Sequence, residues 1–296
     1  IYFNDARHYY LWVFEPPIHM QDAWKPVDEV AGTAIDTFIY GVERGDGLFY
    51  PSKVGLIFGD DKRPFKAAYE WRAWQSMRSL VQRGLDPLTV LIDRAHDKGM
   101  EFFASLRMSG YGGMKEEYTI QVPNSWDENK RQLLAPHLRG DYSNIEVREH
   151  QFAIIEELAT EYPVDGIELD FGFAPFYFSP DVGRNNLATM TDYVRQISCM
   201  VRNRLGTKGS LGARILPTEG MCLNAGLDVR AWLREGLVDF VAPVLYPSMI
   251  LDPDLPIDWI VKAAHDADVS VYPLLQPWVR DETTGFPERH YPTPDI

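Results

Sequence analysis

DGIELDFG, residues 165–172, reads as one strand of a parallel barrel, with Asp165 in a turn before Gly166 at the strand entrance. Side chains on a strand alternate faces, so Glu168 and Asp170 point the same way, about 7 Å apart along the chain. Two acids on one interior face repel each other, and burial raises their pKa values. They are therefore either hydrogen-bonded scaffolding or an acid/base device.

Working outward, six more β-rich runs flank this one: IYFND (1–5), AIDTFIYGV (34–42), MEFFASLRM (100–108), LGARILPT (211–218), VDFVAPVLY (238–246) and VSVYPLLQP (269–277). Segments of helical period lie between them, such as Phe152, Ile155, Leu158, Ala159 and Tyr162, or Met190, Tyr193, Val194, Ile197, Val201 and Leu205. Asp86 followed by Pro87 marks a helix start, and Gly99 its stop. Strands alternating with helices predict a parallel sheet. The joints from helix to strand are tight. Those from strand to helix are long after strand two (43–69), strand three (109–148) and strand four (173–189). Elaboration on one end is the habit of a (β/α)8 TIM barrel, whose functional face is built from the loops after the strands. An open doubly wound sheet is the alternative, but no Gly-rich phosphate loop follows the first strand. The expected architecture is a single α/β domain over residues 1–296, a (β/α)8 TIM barrel cut short before its eighth strand, its C-terminal part missing. After Gln276 and Trp278 a polar, Pro-rich stretch ending YPTPDI is where a seventh helix could start. Ile1 reads as a processed or trimmed start.

Composition narrows the function. A net charge of -14 over 296 residues, with no basic run, argues against nucleic acid and against an anionic membrane surface. No apolar stretch approaches the roughly 20 residues of a membrane span. Cys199 and Cys222 form neither a disulfide framework nor a metal spacing and read as incidental thiols. The seven histidines show no HxH or HExxH spacing, so neither metal nor cofactor is expected. Nucleophile elbows and P-loops are missing from the sequence as well.

DGIELDFG resembles the DGxDxDxE signature of family 18 chitinases, with Asp165, Glu168 and Asp170 at the acidic positions and Gly172 where those enzymes carry their catalytic Glu. That departure rules out a transfer of chitinase chemistry. FYPSKVG (49–55), MEFFASLRM (100–108), DGIELDF (165–171) and VAPVLYPS (241–248) are similar to the family-10-like glycosyl-hydrolase barrels, a group of uncharacterised glycoside hydrolases of bacteria. The resemblance implies a (β/α)8 barrel with a carbohydrate cleft at the C-terminal ends of its strands.

Polar residues projected at those ends are Asn4, Asp5, Arg107, Glu168, Asp170, Arg214, Tyr246, Gln276 and Trp278. Glycoside hydrolysis needs an acid to protonate the leaving oxygen and usually a second carboxylate, about 5–5.5 Å away for retention or 6.5–9.5 Å for inversion. Asp170, nearer the strand end, is expected to be the acid. Glu168, Asp5 or Glu219 could be the second carboxylate, and Glu168 could instead bind Arg107 or Arg214. The bland reading of Arg107, Glu168 and Arg214 is a buried ion network that fills the barrel. Tyr50, Tyr111, Trp126, Phe176, Tyr177, Tyr246 and Trp278 are candidate sugar-stacking faces, although aromatics in loops often serve only as anchors. The functional expectation is a glycoside hydrolase of an oligo- or polysaccharide, extracellular or periplasmic. The competing expectation is a degenerate barrel that binds carbohydrate without cleaving it.

Overall fold

The computed structural model describes residues 1–110, 112–120, 139–179, 181–206, 209–244, 255–274, 279–281 and 288–290. Seven parallel strands follow one another in spatial order: β1 (Tyr2–Asp5), β2 (Thr37–Gly41), β3 (Glu101–Arg107), β4 (Gly166–Asp170), β5 (Ser210–Ile215), β6 (Phe240–Pro243) and β7 (Ser270–Val271). A doubly wound sheet would reverse its order part-way. This one never does, and sequential parallel order is that of a (β/α)8 barrel. Among the described residues no eighth parallel strand joins β7 to β1.

The inner strands β2 and β4 are buried on both faces, as crossover helices require. Outward-facing Phe38, Tyr40, Phe102, Ala104, Ile167, Leu169, Leu211, Ala213 and Val241 join the main core with the helices. From the helix Ile145–Glu161 that core takes Val147, Ile154, Ile155 and Leu158. From Leu187–Leu205 it takes Met190, Tyr193, Val194, Ile197 and Val201. Asp86 caps the helix Pro87–Asp97 as expected, accepting from the N–H groups of Leu88 and Thr89.

The inward faces form a separate, smaller cluster of Phe3, Ile39, Phe103 and Phe240. The rings of Phe103 and Phe240 meet edge to face at 5.8 Å between centroids. Glycines make room for them: a Cβ at Gly166 would lie 2.1 Å from the Phe103 ring, and one at Gly212 2.0 Å from the Phe240 ring. This aromatic floor fills the barrel below the site.

The FYPSKVG segment clamps the long β2 loop to the helix Ile145–Glu161. The Tyr50 hydroxyl, the Ser52 hydroxyl and the Lys53 N–H all donate to the buried Glu157 carboxylate, at 3.0, 2.5 and 2.6 Å. In the stretch where a seventh helix could start, Val279–Asp281 and Glu288–His290 pair antiparallel as β8 and β9; the residues between and after them lie outside the described residues. Among the described residues no helix is long and apolar enough to cross a membrane.

Candidate active site

The strand register sorts the inward-facing polar residues into two levels. Asp5 stands beside Gly41, Gly41 beside Ser105, and Ser105 beside Glu168, which forms the lower level. One pleat repeat nearer the strand ends, Arg107 stands beside Asp170 and Asp170 beside Arg214. Glu43, two residues past Gly41, belongs to this upper level.

Each arginine reaches down to an acid of the lower level. Arg214 donates to both Glu168 oxygens, at 3.1 and 2.7 Å, and its guanidinium lies 3.6 Å from the centroid of the Phe3 ring. Arg107 donates to Asp5 at 2.7 Å, binding β3 to β1, and to the Arg44 carbonyl at 3.1 Å, while Arg214 binds β5 to β4.

Asp170 lies between them. Its Oδ1 accepts from the N–H groups of Gly172 and Phe173, at 3.0 and 3.1 Å, and its Oδ2 lies 3.6 Å from Arg214. It is 2% exposed, and the Phe173 ring stacks over Arg107 at 3.9 Å. The following residue, Ala174, has φ +45°, a left-handed conformation that strains a residue with a Cβ. Gly172 has no room for the Glu of a chitinase, since a Cβ there would fall 2.3 Å from Val244 and 3.2 Å from the Arg214 side chain.

Four acids, Asp5, Glu43, Glu168 and Asp170, face this interior with Arg107 and Arg214, and Asp5 is also 3.5 Å from Arg7. Burial is the largest influence on Glu168 and raises its pKa, the Asp170 charge adding to it while Arg214 and a Ser105 hydrogen bond oppose. Glu43 is 4% exposed and is pushed to about 8, first by burial, with the Asp170 and Asp46 charges adding to it and Arg107 opposing.

Sequence reasoning put Glu43 at the mouth of a loop and passed over it. The alternation Ile39, Gly41, Glu43 was the signal that could have found it. Asn4, expected at the site, is buried on the opposite face of β1 from Asp5, beside outward-facing Tyr40 and hydrogen-bonded towards Tyr2 and Tyr9, because adjacent strand residues alternate faces. Glu219 is not brought into the cluster by any described contact. It sits at the start of the helix Glu219–Asn224, held at the surface by Arg230 at 2.5 Å. Tyr246, Gln276 and Trp278, like Tyr111 and Trp126, lie outside the described residues.

Of the aromatic candidates, Tyr50 and Tyr177 are fully buried anchors, because the loops fold back on the barrel. The Tyr177 hydroxyl bonds the Phe171 carbonyl at 2.7 Å. Phe176 is half-buried. Trp12, not singled out from sequence, is 60% exposed just after β1, its ring 6.0 Å from that of Tyr69. Among the described residues no group of three or more His, Cys, Asp or Glu could hold a metal ion.

The sequence profile of Glycosyl hydrolase-like 10 matches residues 14–198, a span that carries β2, β3 and β4 with Glu43, Arg107, Glu168 and Asp170. The chain belongs to the glycosyl hydrolase-like 10 family. Among relatives of this glycosyl hydrolase-like 10 chain, the glycosyl hydrolase YngK of Bacillus subtilis is 21% identical, over 85% of this chain and 54% of that protein. The glycosyl hydrolase DigH of Escherichia coli K12 is 22% identical, over 74% of this chain and 56% of that protein. The chain therefore spans about half the length of these relatives. Among solved structures, a cycloisomaltooligosaccharide glucanotransferase of Paenibacillus sp. superposes with a TM-score of 0.52 at 14% identity, covering 91% of this chain and 39% of that one. The C-terminal domain of a chitinase candidate from Desulfitobacterium hafniense gives 0.51 at 13%, covering 96% and 70%. At these identities the likeness is one of fold.

Proposed function

We propose that the chain carries the catalytic barrel of a glycoside hydrolase, in which Asp170 acts on an oligo- or polysaccharide at the C-terminal end of β4. One observation carries this reading. Asp170 stands in the upper polar level, oriented by two backbone N–H groups and by Arg214, in a family named for glycosyl hydrolysis. With both oxygens accepting contacts, Asp170 suits the role of base or charge stabiliser better than that of free acid. Glu168 then acts through Arg214, which it holds in place below Asp170. Relatives that share most of this barrel are named glycosyl hydrolases, and a fold neighbour was solved with a cyclic glucan, which supports a glycan as substrate. A polysaccharide substrate would place the work outside the cytoplasm. Trp12, exposed after β1 and set against the half-buried Tyr69, offers a ring on which a sugar face can stack.

The burial of Asp170 supports a second reading, a barrel that binds glycan without cleaving it. For turnover, a sugar must displace Phe173 from Arg107. The strained turn at Ala174 is the hinge available for that movement. The two readings separate in a screen of polysaccharides and aryl glycosides with wild type, Asp170→Asn and Phe173→Ala. Hydrolysis that Asp170→Asn abolishes while binding persists supports the enzyme. Binding with no turnover by any of the three supports the lectin-like barrel.

A further inference from the structure

We infer that Glu43 is the proton donor to the departing glycosidic oxygen, facing Asp170 across Arg107; the inference rests on the hydrolase reading above. Continuing the β2 pleat past Gly41 brings Glu43 to the level of Asp170 two strands away, with Cα atoms on the order of 10 Å apart, and the Asp170 charge acts on Glu43. Glu43 Oε1 is buried and has no hydrogen-bond partner, whereas Asp170 Oδ1 accepts two N–H groups. A buried carboxyl oxygen left unsatisfied is costly unless it has a task, and a carboxylic acid held protonated is the reagent this reaction lacks.

The space around it is kept by Gly110: a Cβ there would stand 2.9 Å from both Glu43 oxygens. Gly110 is in turn fixed by Gln151, which donates to its carbonyl at 3.0 Å. The charged groups that face Glu43 are Arg107 from β3, Asp170 from β4 and Asp46 from its own loop, the last paired with Lys62 at 3.0 Å and Arg44 at 3.7 Å. Burial is the largest influence and favours the protonated form; Arg107, next in size, opposes it by its charge and by a backbone hydrogen bond, and the Asp170 and Asp46 charges add to burial.

In the step assigned, the C1–O bond breaks with its electron pair going to the leaving oxygen, which takes the proton of the Glu43 carboxyl. Water adds to C1, one hydrogen staying in the new hydroxyl and one proton passing to Asp170. Exchange with solvent returns the first proton and removes the second. One glycoside and one water give two hydroxyl products.

The test pairs Glu43→Gln with wild type on phenyl and 2,4-dinitrophenyl glycosides, whose leaving groups respectively need and do not need a proton. The phenyl substrates should lose about 10²–10⁴-fold in kcat/KM and the dinitrophenyl ones less than about 10-fold. The fall of wild-type activity as pH rises through about 8 should vanish in Glu43→Gln, and Gly110→Ala, which presses on the carboxyl, should move it. Equal loss on both substrates would overturn the assignment, leaving Glu43 a structural residue and Asp170 still catalytic. A second measurement does not depend on substrate. The infrared difference between wild type and Glu43→Gln should show a protonated carboxyl stretch near pH 6 that is gone well above the folded pKa, and its absence near pH 6 would also overturn it. If wild type cleaves no glycoside, the hydrolase reading fails first and takes this inference with it.

Discussion

Phe103 and Arg107 lie on the same strand, face the same way and are two pleat repeats apart, yet one belongs to an aromatic floor and the other to a ring of charge. The floor is closed by shape, with Phe103 and Phe240 seated over Gly166 and Gly212. The upper levels are closed by pairing, each arginine answering an acid from another strand. Barrel interiors need filling along their whole height. Apolar filling is stable unaided, whereas ionic filling is stable only while every charge is answered. The buried acids above the floor are therefore where chemistry is to be sought.

The sharpest way to break this contrast is Arg214→Met. It keeps volume but leaves Glu168, 1% exposed, without its cation. We expect a loss of about 3–5 kcal/mol in urea unfolding at neutral pH, smaller in acid where Glu168 can take up a proton. Glu43→Gln probes the same level from the other side. Glu43 has a folded pKa of about 8, above its unfolded value, so its favourable contribution is complete below the unfolded pKa and is lost as pH rises through about 8. Across that window wild type should lose stability with a slope approaching about 1.4 kcal/mol per pH unit that Glu43→Gln lacks, read from denaturation midpoints. In the floor, Gly212→Ala drives a Cβ into the Phe240 ring and should cost about 1–3 kcal/mol, independent of pH. Phe240→Leu in the same chain should recover part of the loss. A pH-dependent cost at Gly212 would mean that floor and ring are not separate.

The floor and half of the ring were legible because period-two alternation is a local property. Ile167, Leu169, Glu168 and Asp170 fall on their faces by counting, as do Arg107 and Arg214. Which acid each arginine meets was not legible: Arg107 crosses to β1, and strand register is set by the whole sheet. Glu43 was missed because its ladder ends at Gly41 while the pleat continues two residues further. Tyr50 and Tyr177 misled for a tertiary reason. Their loops return to the barrel, and Tyr50 ends on Glu157, 107 residues away in sequence. Gly172 was informative in both readings, marking a departure in the motif and a site that Val244 has closed.

The smallest expected effect comes from Glu219, the same residue type as Glu43 in the opposite setting. Its hydrogen bond to Arg230 lowers its pKa, and both side chains are largely solvated, so the pair is screened. Glu219→Gln should cost under about 1 kcal/mol at neutral pH. Because its folded pKa is depressed, that stability is present above the unfolded carboxyl value and disappears as pH falls, the reverse of the trend at Glu43. Thermal melts of both variants at several pH values set the two glutamates side by side. Opposite signs of pH dependence would show that level in the barrel, and not residue type, decides which acid can hold a proton near neutrality, and a matching sign would remove the distinction between the buried and the solvated glutamate.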